Sequence, residues 1–208
     1  SREEPRESFA QYMAGQMSQL ERKSIEPIAL NVENAKVRAM QHFISNVVWD
    51  ESGIISRYHH MVADDLGDSE GVLIFDESGF VKKGNDSAGV VRQYCGNVGK
   101  VENCQVGVFS AYASRHGYCI LDHRLFIPQK WFGDDYAVRR RKCKFPEDIS
   151  FRTKPQLAVE MLERIVSAEV IPFRYIVADT LYGGSPEFLE AMEQIPGVVY
   201  LVALPLDS

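Results

Sequence analysis

Nothing in the sequence is long and apolar enough to cross a bilayer. The longest apolar stretch, Val198 to Leu206, is far shorter than the ~20 residues a spanning helix needs. No basic-then-apolar leader opens the chain, so no secretory signal is expected; it starts at Ser1 and not at Met, as a fragment or processed product does. Cysteine is scarce. Cys95, Cys104, Cys119 and Cys143 form no Cys-x-x-Cys pair, and the five histidines do not fall at zinc-finger spacing around them, which leaves no motif for a structural zinc. A disulfide framework has no motive in a chain this long, which can bury roughly 70% of its unfolded surface. The thiols are expected to be reduced and mostly buried, as in a cytoplasmic protein. Internal repeats and low-complexity tracts are absent, and Gly183-Gly184 lacks the spacing and the lysine of a phosphate-binding loop.

What remains is ordinary globular composition, 45% hydrophobic and 25% charged over 208 residues, which suits one domain or one domain with a helical appendage. The net charge of −6 speaks against a nucleic-acid partner until it is divided along the chain. Residues 1–70 carry 7 Lys and Arg against 12 Asp and Glu, residues 71–145 carry 12 against 7, and residues 146–208 carry 4 against 10. A basic middle thus lies between two acidic flanks, which suits a phosphate-binding segment and equally a solvated surface balanced by its neighbours.

The first 68 residues read as helical. Phe9, Tyr12, Met13, Gln16, Met17 and Leu20 recur at three- and four-residue steps, as do Val37, Met40, Phe43, Ile44 and Val47. Ile54 to Val62 resumes the pattern after a break at residues 50–53, and Gly67-Asp68 is the exit turn. The character then changes. Gly71 to Phe75 reads as a buried strand running out into the polar turn Asp76-Glu77-Ser78-Gly79. Residues 81–103 read as an irregular excursion, Cys104 to Ala113 and Tyr118 to Ile127 as a hairpin about residues 114–117, and Pro128 to Pro146 as a loop with aromatic and basic residues. Thr153 is a helix cap before the stripe Leu157, Met161, Leu162, Ile165 and Val166. Phe173 to Ala178 is a strand stopped by Asp179, Ser185 caps a helix with Pro186 at its first position, and Val198 to Leu204 is a last strand.

Asp76 and Asp179 share one setting, each following an apolar strand and preceding a Gly-containing turn. If the two strands are parallel neighbours, joined by a crossover through the 154–168 helix, both carboxylates emerge at one sheet edge. They are then expected within about 4–7 Å of each other, a span that metal ions bridge. Two such carboxylates repel, and a divalent cation removes the conflict; hard oxygen ligands suit Mg²⁺ or Mn²⁺. Either Asp alone reads equally well as a turn residue at a strand end.

Several linked phrases carry a family resemblance. Asp76-Glu77-Ser78-Gly79-Phe80-Val81-Lys82-Lys83-Gly84 resembles the first acidic motif of bacterial insertion-sequence transposases of the Asp-Asp-Glu (DDE) type. Val91-Arg92-Gln93-Tyr94, Val101 to Val108, Thr153 to Ala158, Ala178 to Gly183, Gln41 to Ile44 and Trp49-Asp50 are similar to the same group. The resemblance implies a ribonuclease-H-like α/β fold: a mixed sheet with flanking helices over residues 69–208, preceded by a small all-helical region over residues 1–68. It implies DNA cleavage and joining at transposon ends, with transposon and target DNA as partners and no membrane. It implies Asp76 and Asp179 as the first two catalytic, metal-holding carboxylates, with two Mg²⁺ or Mn²⁺ ions in the complete enzyme. A homo-oligomer in a synaptic complex fits the same picture, in a bacterial cytoplasm and on the nucleoid when DNA is bound. The third carboxylate, a Glu on a later helix, is expected beyond Ser208, since Glu187, Glu190 and Glu193 come too early. The catalytic domain is therefore expected to be incomplete at its C-terminus and this chain to be inactive by itself.

Other residues are weighed beside these. Glu77 is expected to point away from Asp76, because adjacent side chains on a strand face opposite ways. Lys82, Lys83 and Arg92 are phosphate-binding candidates near the site, and Arg139, Arg140, Arg141 and Lys142 add a sequence-independent grip. Trp131, Phe132 and Tyr136 suit base stacking and, more commonly, a core. His59, His60 and His116 are expected at the surface, and His123 is read as structural. Two further functions stay open: a DNA-binding or assembly module without chemistry, and a metal-dependent nuclease that only hydrolyses.

Overall fold

The computed structural model describes residues 3–204, which form two compact units that divide between Glu51 and Ser52. The first unit holds α1 (Glu3–Met17), α2 (Ile25–Asn31) and α3 (Val37–Asn46). Ile28, Ala29 and Met40 are its buried centre, with Tyr12, Leu20, Ile25 and Val37 packed around them. The apolar stripe of α1 is only partly used: Phe9, Met13 and Met17 are exposed. Helix α2 lies between the two apolar stripes and contains Pro27. The proline falls in the first helical turn, where no backbone donor is needed.

The second unit opens with α4 (Glu51–Leu66) and continues into a six-stranded sheet. The strands are β1 (Val72–Val81), β2 (Val91–Cys95), β3 (Lys100–Ser114), β4 (Gly117–Phe126), β5 (Tyr175–Ala178) and β6 (Val199–Val202). Their order is β2-β3-β1-β5-β6, with β4 also on β3. β1 is antiparallel to β3 and parallel to β5, which is parallel to β6. This mixed sheet with its helices is the ribonuclease-H-like α/β architecture. Helices α5 (Ala137–Lys142), α6 (Lys154–Ala168), α7 (Thr180–Gly183) and α8 (Pro186–Glu193) complete the unit. Among the described residues no helix is long and apolar enough to cross a membrane.

One face of the sheet builds the core. Leu73 and Phe75 of β1, Val108 and Tyr112 of β3, Leu121 of β4 and Ile176 and Ala178 of β5 meet Val62 of α4, Leu157, Met161, Leu162 and Ile165 of α6, and Phe188 and Met192 of α8. Each buried Leu, Ile or Phe contributes about 1.5–3 kcal/mol. Helix α6 starts with a full capping box, in which Thr153 and Gln156 satisfy each other's backbone N–H. Ser185 caps α8, with Pro186 in its first turn.

Three sequence expectations fail here. Residues 81–103 are irregular only in part, over 82–90: β2 and the start of β3 pair from Val91↔Cys104 to Cys95↔Lys100. Gly84, Asn85, Gly89, Gly96, Asn97 and Gly99, which suggest a loop, sit in the connections, while Asn103 lies in β3. Residues 128–146 are not simply a loop, for two 3₁₀ turns lead into α5. Trp131 is fully buried there and donates from Nε1 to the Val90 carbonyl at 3.1 Å. His59 is buried, with Nε2 3.3 Å from the Leu121 carbonyl oxygen. Leu121 lies at a bulge, where pairing jumps from Ser110↔Asp122 to Ala111↔Ile120. The extra residue turns both Leu121 and Asp122 inward. Asp122 is balanced there by Arg124 (2.9 Å) and Arg164 (3.3 Å).

The start of β1 is set by a close approach. The buried Tyr112 hydroxyl donates to the Pro172 carbonyl (2.8 Å) and accepts from the Asp68 N–H (3.0 Å). A Cβ on Gly71 would lie 2.3 Å from that oxygen. Gly71→Ala is expected to destabilise the protein by about 1–3 kcal/mol through overpacking. The check is a lower urea midpoint at an unchanged denaturant slope.

Candidate active site

Two apolar runs bring the acidic residues together. Val-Leu-Ile-Phe of β1 and Tyr-Ile-Val-Ala of β5 pair in parallel, and the last pair is Phe75↔Ala178. The next residue on each chain is Asp76 or Asp179, so both stand at the same level where β5 ends. Past that point, among the described residues, β1 pairs only with β3. Asp179 leaves the sheet as the N-cap of α7, accepting from the Leu181 N–H at 3.0 Å. Asp76 accepts from the Glu77 N–H at 2.7 Å.

A third carboxylate joins them. One oxygen each from Asp76, Glu77 and Asp179 lie within 4.8 Å of one another. The expected separation of the two aspartates is met, but the expectation that Glu77 points away is not. Strand alternation governs only the direction off the sheet. Glu77 keeps to the core face, after Leu73 and Phe75 and opposite Val108, and the length of its side chain brings an oxygen near the aspartates. Glu77 accepts from Lys154 Nζ (2.6 Å) through one oxygen and from the Tyr182 hydroxyl (3.0 Å) through the other. Lys154 is in the first turn of α6 and lies over the Phe126 ring at 5.7 Å. Tyr182 of α7 is fully buried. That burial, followed by the negative charge of Glu77, pushes its hydroxyl far above the usual tyrosine range, so it stays a donor.

The electrostatics are those of a cation site. Asp76 keeps an exposed edge, yet the chain around it withdraws enough water to push its carboxyl above the ordinary range. The Glu77 N–H opposes this, Asp179 and Glu77 add to it, and Lys154 opposes it. Three carboxylates face one ammonium group. The donor set is all hard oxygen, which fits Mg²⁺ or Mn²⁺ and does not fit a soft metal.

The basic candidates lie elsewhere. Lys82 and Lys83 are six and seven residues past Asp76, about 20 Å along an extended strand. They stand on a turn that Asn103 pins through the carbonyls of Lys82 (2.8 Å) and Gly84 (3.0 Å). Arg92 is exposed on β2, opposite Asn103. Arg139, Arg140, Arg141 and Lys142 form α5 and are partly engaged within the chain. Arg139 lies over the Tyr136 ring, Arg140 donates to the Trp131 and Gly133 carbonyls, and Lys142 pairs with Asp86; Arg141 is exposed. The cation beside the carboxylates is Lys154, which sequence reasoning passed over. Its signal was its position at the start of the crossover helix that delivers β5 next to β1.

Comparison with known proteins gives the same direction. The family model described as DDE superfamily endonuclease matches residues 1–208. The chain is 28% identical over 199 residues to a protein of Microchaete diplosiphon described as a probable transposase for insertion sequence element IS701. That match covers 95% of this chain and 48% of the relative, so the chain spans about half the relative's length. No solved structure matches.

The raised carboxyl of Asp76 has a signed consequence for stability. Its folded value lies above the unfolded one, so the contribution present at low pH is lost as pH rises through the folded value. In metal-free buffer, Asp76→Asn is therefore expected to gain on the wild type as pH rises from about 3 to 7. Urea midpoints of both proteins across that range test this, and parallel curves would refute it.

Proposed function

Because the chain belongs to the DDE superfamily endonuclease family, we propose that it forms the metal-holding part of a DNA transposase, which cleaves transposon ends and joins the released 3′-hydroxyl to target DNA. The observation that carries this reading is the meeting of Asp76 and Asp179 where β5 ends beside β1. In this reading the two aspartates are the catalytic carboxylates and hold Mg²⁺ or Mn²⁺, with two ions in the complete site. Bound divalent ions would supply Lewis-acid stabilisation to the attacking and leaving oxygens of an in-line displacement. The chain's own part is positional. Parallel pairing holds Asp76 level with Asp179, and the α7 cap fixes the Asp179 carboxylate. Lys82, Lys83, Arg92 and the basic face of α5 take the phosphate backbone, a grip independent of sequence. The helical first unit serves assembly or DNA contacts, as a synaptic homo-oligomer requires. No Glu follows β6 in this sequence, and the reading assigns the family's third carboxylate to residues outside 1–208.

The test is a transposon-end oligonucleotide assay with and without Mn²⁺. A longer protein containing the downstream Glu is expected to cleave and join, and residues 1–208 alone to do neither at a measurable rate. Asp76→Asn or Asp179→Asn in the longer protein should abolish both steps. Cleavage without joining would make it a hydrolytic nuclease. DNA binding with no cleavage by the longer protein would make it a binding module.

DNA affinity is expected to fall steeply with salt. Reversing charge at Lys82 and Lys83 together should weaken binding to every sequence and lower the slope of log affinity against log salt by about 2. An unchanged slope in a folded variant would remove these lysines from the interface.

A further inference from the structure

The functional reading uses two carboxylates, whereas the structure brings three together. We propose that Glu77 is a metal-holding carboxylate of this site, oriented for that task by Tyr182 and Lys154. The proposal rests on the reading of Asp76 and Asp179 as the metal-holding pair and adds a ligand that the chain supplies from within residues 1–208.

Placement is the first argument. An oxygen of Glu77 lies within 4.8 Å of oxygens from both aspartates, a cluster that a hard cation at about 2.1 Å from each oxygen would draw closer together. Orientation is the second. Each Glu77 oxygen takes one donor, Lys154 Nζ at 2.6 Å and the Tyr182 hydroxyl at 3.0 Å. A carboxylate oxygen has two lone-pair directions, so each keeps one for a cation. The two donors come from rigid places. Lys154 stands in the capped first turn of α6. Tyr182 is buried against Phe188, with ring centroids 5.6 Å apart. Tyr182 also belongs to α7, the turn that Asp179 caps. One short element therefore sets the position of two carboxylates at once, and hydrogen-bonded ligand carboxylates of this kind are the rule around protein-bound metals.

Cost is the third argument. An ion pair with Lys154 alone would explain neither the second donor nor the crowding. A third carboxylate beside two others adds repulsion that a purely structural pair could avoid by leaning away from the aspartates. Local disfavour of this sort concentrates at functional sites. A divalent ion offsets it and leaves Glu77 bonded to both of its donors.

The experiment is Mn²⁺ binding to the 208-residue protein, read as free Mn²⁺ by electron paramagnetic resonance, with circular dichroism to check folding. Glu77→Gln keeps the side chain's shape and one acceptor oxygen, enough for Lys154 or Tyr182 but not both, and removes the charge. It is expected to weaken Mn²⁺ binding about tenfold or more. Tyr182→Phe keeps the buried ring and all charges, and is expected to weaken binding several-fold by loosening Glu77. It also tests the claim if Glu77→Gln does not fold. Lys154→Met serves as the comparison. If Glu77 is only the partner of Lys154, then Glu77→Gln and Lys154→Met lower the thermal midpoint alike, while Glu77→Gln and Tyr182→Phe bind Mn²⁺ as the wild type does. That result overturns the proposal. Asp76→Asn separates the two levels: wild-type affinity there as well defeats the underlying site, whereas loss in Asp76→Asn with wild-type affinity in Glu77→Gln defeats the role of Glu77 alone.

Discussion

The parallel register of β1 and β5 is the constraint from which the chemistry of this molecule follows. Pairing runs from Val72↔Tyr175 to Phe75↔Ala178, and the two chains leave it at the same level. Slipping that register by one residue would send Asp179 to the far side of the sheet and turn every buried side chain of β5 outward. The core forbids the slip, because Leu73, Phe75, Ile176 and Ala178 all lie on the face that α6 and α8 cover. The hydrophobic contacts that hold the sheet together thus also place the carboxylates.

Around that point the protein concentrates negative charge and then surrounds it with fixed partners. Lys154 and Tyr182 approach Glu77 from α6 and α7, and Asp179 is tied to the backbone of α7. These groups belong to elements whose own positions are set by burial, so the site is held from behind by packing while its open side faces solvent. β5 is short and β1 long: four residues against ten.

Much of this was legible beforehand. The apolar runs ending at Asp76 and Asp179, the Thr153 and Ser185 caps and the hairpin closed by Arg115-His116 are local signals, written in residues close together in the chain. Other features were not. β2 was hidden because its two buried side chains, Val91 and Cys95, stand four residues apart with Arg92, Gln93 and Tyr94 between them. His59 looked like a surface residue because its partner, the Leu121 carbonyl, comes from another element.

By itself the sequence determined which segments are apolar enough to be strands, where helices start, and that two acidic residues end matching strands. Those properties depend on neighbours within a few residues, through alternation, capping and turn chemistry. Only the tertiary structure decided that an oxygen of Glu77 comes within 4.8 Å of oxygens from both aspartates. Only there does Lys154 become the cation beside the site, while the lysines after β1 stand some 20 Å along the strand from it. The physical reason is that where the end of a long side chain comes to rest is set by what lies across from it. Here that is α6 and α7, whose donors enter the sequence 77 and 105 residues after Glu77.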